Sequence, residues 1–119
     1  MNGNLILLDT NIVLYIFAGQ YNIENLPECK FCISFITEME LLSYSFENKT
    51  EEDEVKKFIE STDIIEMNNV IKYTAVNLRK QYKLKLPDAI ICATALFEKA
   101  TLVTNDEKLH KIKELRVIN

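Results

Sequence analysis

The 119-residue sequence is poor in the residues that break regular structure. It holds two Gly (Gly3, Gly19) and two Pro (Pro27, Pro87). So few turn formers argue against an all-β fold and for helices joined by short loops. Cysteine is scarce and odd in number: Cys29, Cys32 and Cys92. That argues against a disulfide framework and fits a reducing cytoplasm, the expected location. Cys29 and Cys32 have C-x-x-C spacing, but there is no second pair and only one histidine, His110. A zinc site would lack ligands, so Cys32 and Cys92 are expected in the core and His110 facing solvent. No apolar run approaches the roughly 18 residues of a membrane span. No basic-then-apolar leader is visible either, so no membrane partner is expected.

An excess of positive charge is also missing. There are 18 acidic and 14 basic residues, for a net charge of −4. A general nucleic-acid binder normally carries the opposite sign. Contact with nucleic acid would need a local basic patch or bound cations.

What is present is ordinary for a folded chain: 48% hydrophobic and 27% charged residues. The length suits one modest core, so residues 1–119 are expected to form a single domain. Short apolar runs predict strands over 5–8, 31–34, 63–66 and 101–103, with a fifth over 116–118. Helical spacing predicts helices over 11–18, 37–46, 51–61 and 88–99, and a fourth in the order ending near Tyr82. Gly19 would stop the first. Residues 20–30 read as a loop around Pro27. Thr50 is the expected N-cap of the third helix, and Asn68 or Asn69 of the fourth. Pro87 would open the fifth, which is apolar nearly all round and therefore buried. Apolar strands alternating with helices imply an α/β chain: a three-layer α/β/α sandwich around a central, mostly parallel sheet of four to five strands.

Sites in open parallel sheets form beyond the carboxyl ends of the strands. Asp9 follows the first predicted strand. Ser34, Thr37, Glu38 and Glu40 follow the second. Thr104, Asn105 and Asp106 follow the fourth, and Asp88 opens the buried helix. Carboxylates sharing one pocket raise each other's pKa. A hard divalent cation relieves that repulsion, and Mg²⁺ and Mn²⁺ prefer oxygen ligands. Each acid also has a purely structural role open to it. Asp9 could cap the first helix, Thr37 and Glu40 have capping-box spacing, Asp88 could answer the helix dipole, and Asp106 could cap a short helix beginning near Glu107. Their shared sheet edge is what points to a site.

At these residues the chain resembles the PIN-domain ribonucleases, and among them the VapC-like toxins. The matching pieces are LLDTNIVLY, ISFITEMELL, LKLPDAIICATAL and LVTND, in the family's order and spanning nearly the whole chain. The resemblance implies cleavage of RNA dependent on one or two Mg²⁺ or Mn²⁺ ions. Asp9, Glu40, Asp88 and Asp106 would be the catalytic, metal-holding acids. Thr10, Asn11, Thr37, Thr104 and Asn105 would support them, and Glu38 is the less suited neighbour of Glu40. The family pattern continues with an Asp and an aromatic residue. This chain has Lys108 and Leu109 there, a departure that bears on whether a second ion is held. The reaction implied is hydrolysis leaving 5′-phosphate and 3′-hydroxyl ends. The partners implied are RNA, a separate antitoxin protein and a second copy in a homodimer.

Arg79, Lys80, Lys83 and Lys85 cluster just before Asp88 and are the candidate phosphate contacts; as a helix end rich in cations they would equally complement the dipole. Three other functions remain to be weighed. A receiver-like signalling domain wants an Asp after the third strand, where Glu66-Met67-Asn68 stands. A haloacid-dehalogenase-like phosphatase wants D-x-D after the first, where Asp9 is followed two places on by Asn11. A catalytically weak PIN-like module would bind RNA or protein without cutting.

Overall fold

A computed structural model describes residues 5–26 and 29–119. Pro27, and with it the centre of the expected 20–30 loop, lies outside them. The elements run β1 (Leu5–Leu8), α1 (Thr10–Phe17), β2 (Lys30–Ser34), α2 (Phe35–Leu42), α3 (Lys49–Ser61), β3 (Asp63–Ile65), α4 (Asn69–Tyr82), α5 (Leu86–Glu98), β4 (Thr101–Val103) and β5 (Val117–Ile118). Short 3-10 turns cover Ile23–Asn25 and Leu109–Lys111.

The five strands form one parallel sheet in the order β3-β2-β1-β4-β5. Alternation splits each central strand between two faces. Ile6, Leu8, Ile33 and Val103 pack with Ile12 and Val13 of α1 and Val55 and Ile59 of α3. Leu7, Cys32 and Leu102 pack on the other face with Ile71, Ala75 and Leu78 of α4 and the apolar run of α5. Both faces are therefore covered, which is why these strands read as continuous apolar runs. The strand order explains the layers. Parallel crossovers are right-handed, so helices met while stepping β1→β2→β3 cover one face. Those met on the return from β3 to β4 cover the other.

Helix boundaries follow their caps. Ser34 caps α2, its Oγ accepting from Ile36 N at 3.1 Å. The helix therefore starts directly off β2, two residues before the expected start, and ends at Leu42. Phe46 falls outside it and packs its ring against Tyr44. Asn48, not Thr50, caps α3, accepting from Thr50 N and Glu51 N. Asn68 caps α4 by accepting from Ile71 N at 2.8 Å. Pro87 is the second residue of α5, where its missing N–H still costs no helical bond. Gly19 takes a positive φ of 76°, and Lys83 and Lys99 end α4 and α5 in the left-handed region.

Cys29, Cys32 and Cys92 are free thiols. Burial pushes the Cys32 and Cys92 thiols up to about 12, so both are inert apolar fillers. Among the described residues, no helix is long and apolar enough to cross a membrane.

Candidate functional site

Chain connections leave β1 and β4 in opposite directions, so a crevice opens where their carboxyl ends lie side by side. Asp9 sits in it. The β1–β4 ladder runs one residue past the strand, with Asp9 N donating to Val103 O at 3.1 Å. That bond fixes the backbone from which the carboxylate projects. Asp9 occupies the N-cap position of α1, yet its side chain caps nothing. Instead its Oδ2 accepts from the Thr104 hydroxyl at 2.5 Å. The capping role open to Asp9 is thus not taken up.

Thr104 follows β4 and is fully buried. Its N donates to Ile118 O at 3.0 Å. Its Oγ accepts from Asp106 N at 3.1 Å while the hydroxyl proton goes to Asp9. Asp106 is half-buried. Its carboxylate closes the following turn, accepting from Lys108 N at 3.0 Å; the expected helix near Glu107 is a 3-10 turn that starts only at Leu109, and Asp106 does not cap it.

Glu40 does not form a capping box with Thr37, because Ser34 holds the cap. Thr10 donates to Glu40 Oε1 at 2.6 Å. Thr10 and Thr37 hydroxyls are 2.9 Å apart. Since the Thr10 proton is committed to Glu40, Thr37 must be the donor to Thr10. The chain of bonds therefore runs Thr37→Thr10→Glu40 and ties α1 to α2. Asn11 and Asn105 are exposed beside these residues.

Asp88 is the third residue of α5 and half-buried. Burial holds its carboxyl above the usual range. Asp9, Asp106 and Glu40 push the same way, and Lys85 opposes them. Asp9 is 7% exposed, and its carboxyl is also raised. Burial is the main cause, offset by hydrogen bonds from the Thr104 hydroxyl and the Thr10 backbone N–H and reinforced by Asp106 and Glu40. The four acids named from the sequence thus share one electrostatic field. Among the described residues, no three His, Cys, Asp or Glu side chains are arranged so that they could hold an ion between them.

Arg79 and Lys80 lie exposed in the last turn of α4, with Lys83 and Lys85 exposed after it. Lys85 is the residue of this group whose charge reaches Asp88. The sequence reading missed two contributors. Lys85 was expected to meet phosphates, not to temper Asp88. His110 is exposed as expected, but its Nε2 lies 2.8 Å from Thr104 O. The two lie six positions apart, and no periodic pattern marks such a loop contact.

The sheet order bears on the receiver-like reading. Receiver-like sheets run 2-1-3-4-5, whereas this sheet runs 3-2-1-4-5. The sequence matches the family model described as PIN domain over residues 6–115. A comparison with curated proteins finds no match. Among solved structures, the chain is similar to one in a toxin-antitoxin complex from Klebsiella pneumoniae. There identity is 32%, coverage 96% of each chain and TM-score 0.78. It is similar to one in VapBC2 from Rickettsia felis bound to a promoter DNA fragment, at 26% identity, covering 97% of this chain and 98% of that one, TM-score 0.80. A DNA-bound VapBC from Salmonella typhimurium shares the fold, with 22% identity, 97% coverage of each chain and TM-score 0.81.

Proposed function

The chain belongs to the PIN-domain family, and we propose that it is the toxin of a toxin–antitoxin pair, an endoribonuclease that hydrolyses RNA phosphodiester bonds with Mg²⁺ or Mn²⁺. PIN domains of VapC toxins are nucleases.

One observation carries it. Asp9 is buried with a hydroxyl donor aimed at it, in the field of Asp106 and Glu40. Burying an ionised carboxylate is costly, and a module that only binds gains nothing from setting further acids beside it. Perturbed groups clustered in a crevice are the mark of a functional site. This favours a nuclease over a catalytically weak binding module.

The donor set fits a hard divalent cation in kind, being all oxygen and all anionic. Mg²⁺ keeps several waters and often takes only one or two carboxylates, so holding it does not require three of these side chains to meet at one point. When bound, such an ion supplies water activation and stabilisation of the departing 3′ oxygen. The chain's own residues do the rest. Asp9, Glu40, Asp88 and Asp106 supply the negative charge that holds one or two ions. Thr104 fixes Asp9, and Thr37 and Thr10 fix Glu40, so each acid presents a set oxygen to the crevice. Arg79, Lys80, Lys83 and Lys85 bind phosphates flanking the scissile bond and offset the chain's net charge of −4.

The structural relatives named toxin–antitoxin complexes support a separate antitoxin as partner. A groove beside the site, about 520 Å³, offers it apolar and acidic surface. Leu14 and Tyr15 of α1 line it with Phe46, Glu47 and Glu51. Exposed apolar residues on α4, Val70, Tyr73 and Val76, are where a second copy would pack in a homodimer. The expected setting is the cytoplasm.

The test is cleavage of total RNA and tRNA by purified protein in Mg²⁺, in EDTA and with Asp9→Asn. Cleavage in Mg²⁺ alone, lost in the variant, supports the proposal. Unchanged cleavage in EDTA or in the variant rejects it.

A further inference from the structure

The loop from Thr104 to His110 presents Asp106 to the crevice and Thr104 to Asp9. Its closure depends on few bonds. Lys108 N donates to Asp106 Oδ1 and Leu109 N to Asp106 O, both at 3.0 Å. Leu109 is fully buried and anchors the far end in the core. Thr104 uses its N on Ile118, its hydroxyl proton on Asp9 and its Oγ lone pair on Asp106 N. Its carbonyl oxygen meets the His110 ring at 2.8 Å.

We infer that His110 is a positioning residue, whose Nε2–H clasps the Thr104 carbonyl and so fixes both Thr104 and Asp106 in the geometry the acidic pocket needs. A carbonyl can only accept, so the ring nitrogen facing it carries the hydrogen. A buried carbonyl that loses its donor is costly to leave unpaired, and here the cost falls on a loop. His110 is itself exposed, so removing its side chain opens no cavity in the core. Groups that orient metal-holding residues from behind commonly change affinity about 10–100-fold when lost. The cation effect rests on the proposed metal-dependent reading; the clasp itself does not.

The test uses the full chain with His110→Ala and His110→Gln. The Gln amide nitrogen sits the same number of bonds from Cβ as Nε2 and can donate to the same oxygen. Two quantities are measured: hydrogen exchange of the Asp106, Lys108 and Leu109 amides in metal-free protein, and Mn²⁺ affinity by calorimetry. His110→Ala should speed exchange of those amides and weaken Mn²⁺ binding about 10–100-fold, with His110→Gln close to wild type in both. Wild-type behaviour of His110→Ala, or His110→Gln as impaired as His110→Ala, overturns the inference. If wild type itself binds no Mn²⁺, the metal-dependent function fails, and loop exchange alone decides the clasp.

Discussion

The Thr104 hydroxyl donates to Asp9 Oδ2 at 2.5 Å, joining residues 95 positions apart at the ends of adjacent strands. This bond holds the most buried acid of the crevice in place and favours its ionised form.

Replacing the donor should show both effects. Thr104→Val keeps the volume and loses the hydroxyl, so Mg²⁺-dependent cleavage should fall about 10–100-fold. Thr104→Ser should retain most activity. The Asp9 carboxyl should move still higher in the Val variant, shifting the acid limb of the pH–rate profile upward. An unchanged limb would show that the bond does not set the ionisation of Asp9.

The raised carboxyls make a stability prediction with a definite sign. Burial raises both Asp9 and Asp88 above the usual carboxylate value near 3.8. A group whose folded pKa is raised binds its proton more tightly when folded. Its contribution to stability is fully present below about pH 3.8 and is lost as pH rises through the folded value. At pH 7 both groups therefore destabilise the metal-free fold. Asp88→Asn should raise the melting temperature in EDTA at pH 7, and the gain should shrink towards pH 4. Calorimetry across that range checks it; a lowered melting temperature at pH 7 would contradict it.

Cation should reverse that balance. A ligand at 100 times its Kd adds about 2.7 kcal/mol to stability. For a chain of this length that is roughly 10 °C in melting temperature. Wild type should show such a rise on saturation with Mg²⁺ or Mn²⁺, and Asp88→Asn should lose most of it. Equal rises in both would remove Asp88 from the ion's ligands.

The basic cluster has its own signature. Reversing the charge of Lys83 and Lys85 should weaken RNA binding. If two phosphate contacts are lost, the slope of log affinity against log salt should flatten by about 1.4. An unchanged slope would return these lysines to the role of helix-end cations.

Much of this was legible in the sequence because strong local signals coincided with the tertiary answer. The strands at Leu5–Leu8 and Thr101–Val103 are apolar on both faces, so their bounds were clear. The cap of α4 was readable as Asn68 or Asn69, because polar residues directly precede a periodic helix, and Asn68 takes it. The ends of α2 and α3 were misplaced for a physical reason. Ser34 belongs to β2 and caps α2 at once, and Asn48 caps α3 two residues before Thr50, whose own N–H it accepts. In the site, an acidic pocket was readable because strand ends in a parallel sheet converge, while the choice of Glu40 over Glu38 came from the family resemblance. The partners of those acids were not readable. Thr10 meets Glu40 across 30 positions and His110 meets Thr104 by the path of a loop. Neither contact has a period, a spacing or a composition that announces it.

Mg²⁺-dependent cleavage of RNA by wild type and Asp9→Asn, side by side and with both shown to be folded, bears most directly on the role of the buried acid. Wild type should cut, leaving 5′-phosphate and 3′-hydroxyl ends, and the variant should not cut detectably. Full cleavage by Asp9→Asn, or cleavage by wild type that persists in EDTA, would contradict a nuclease built on this acidic crevice.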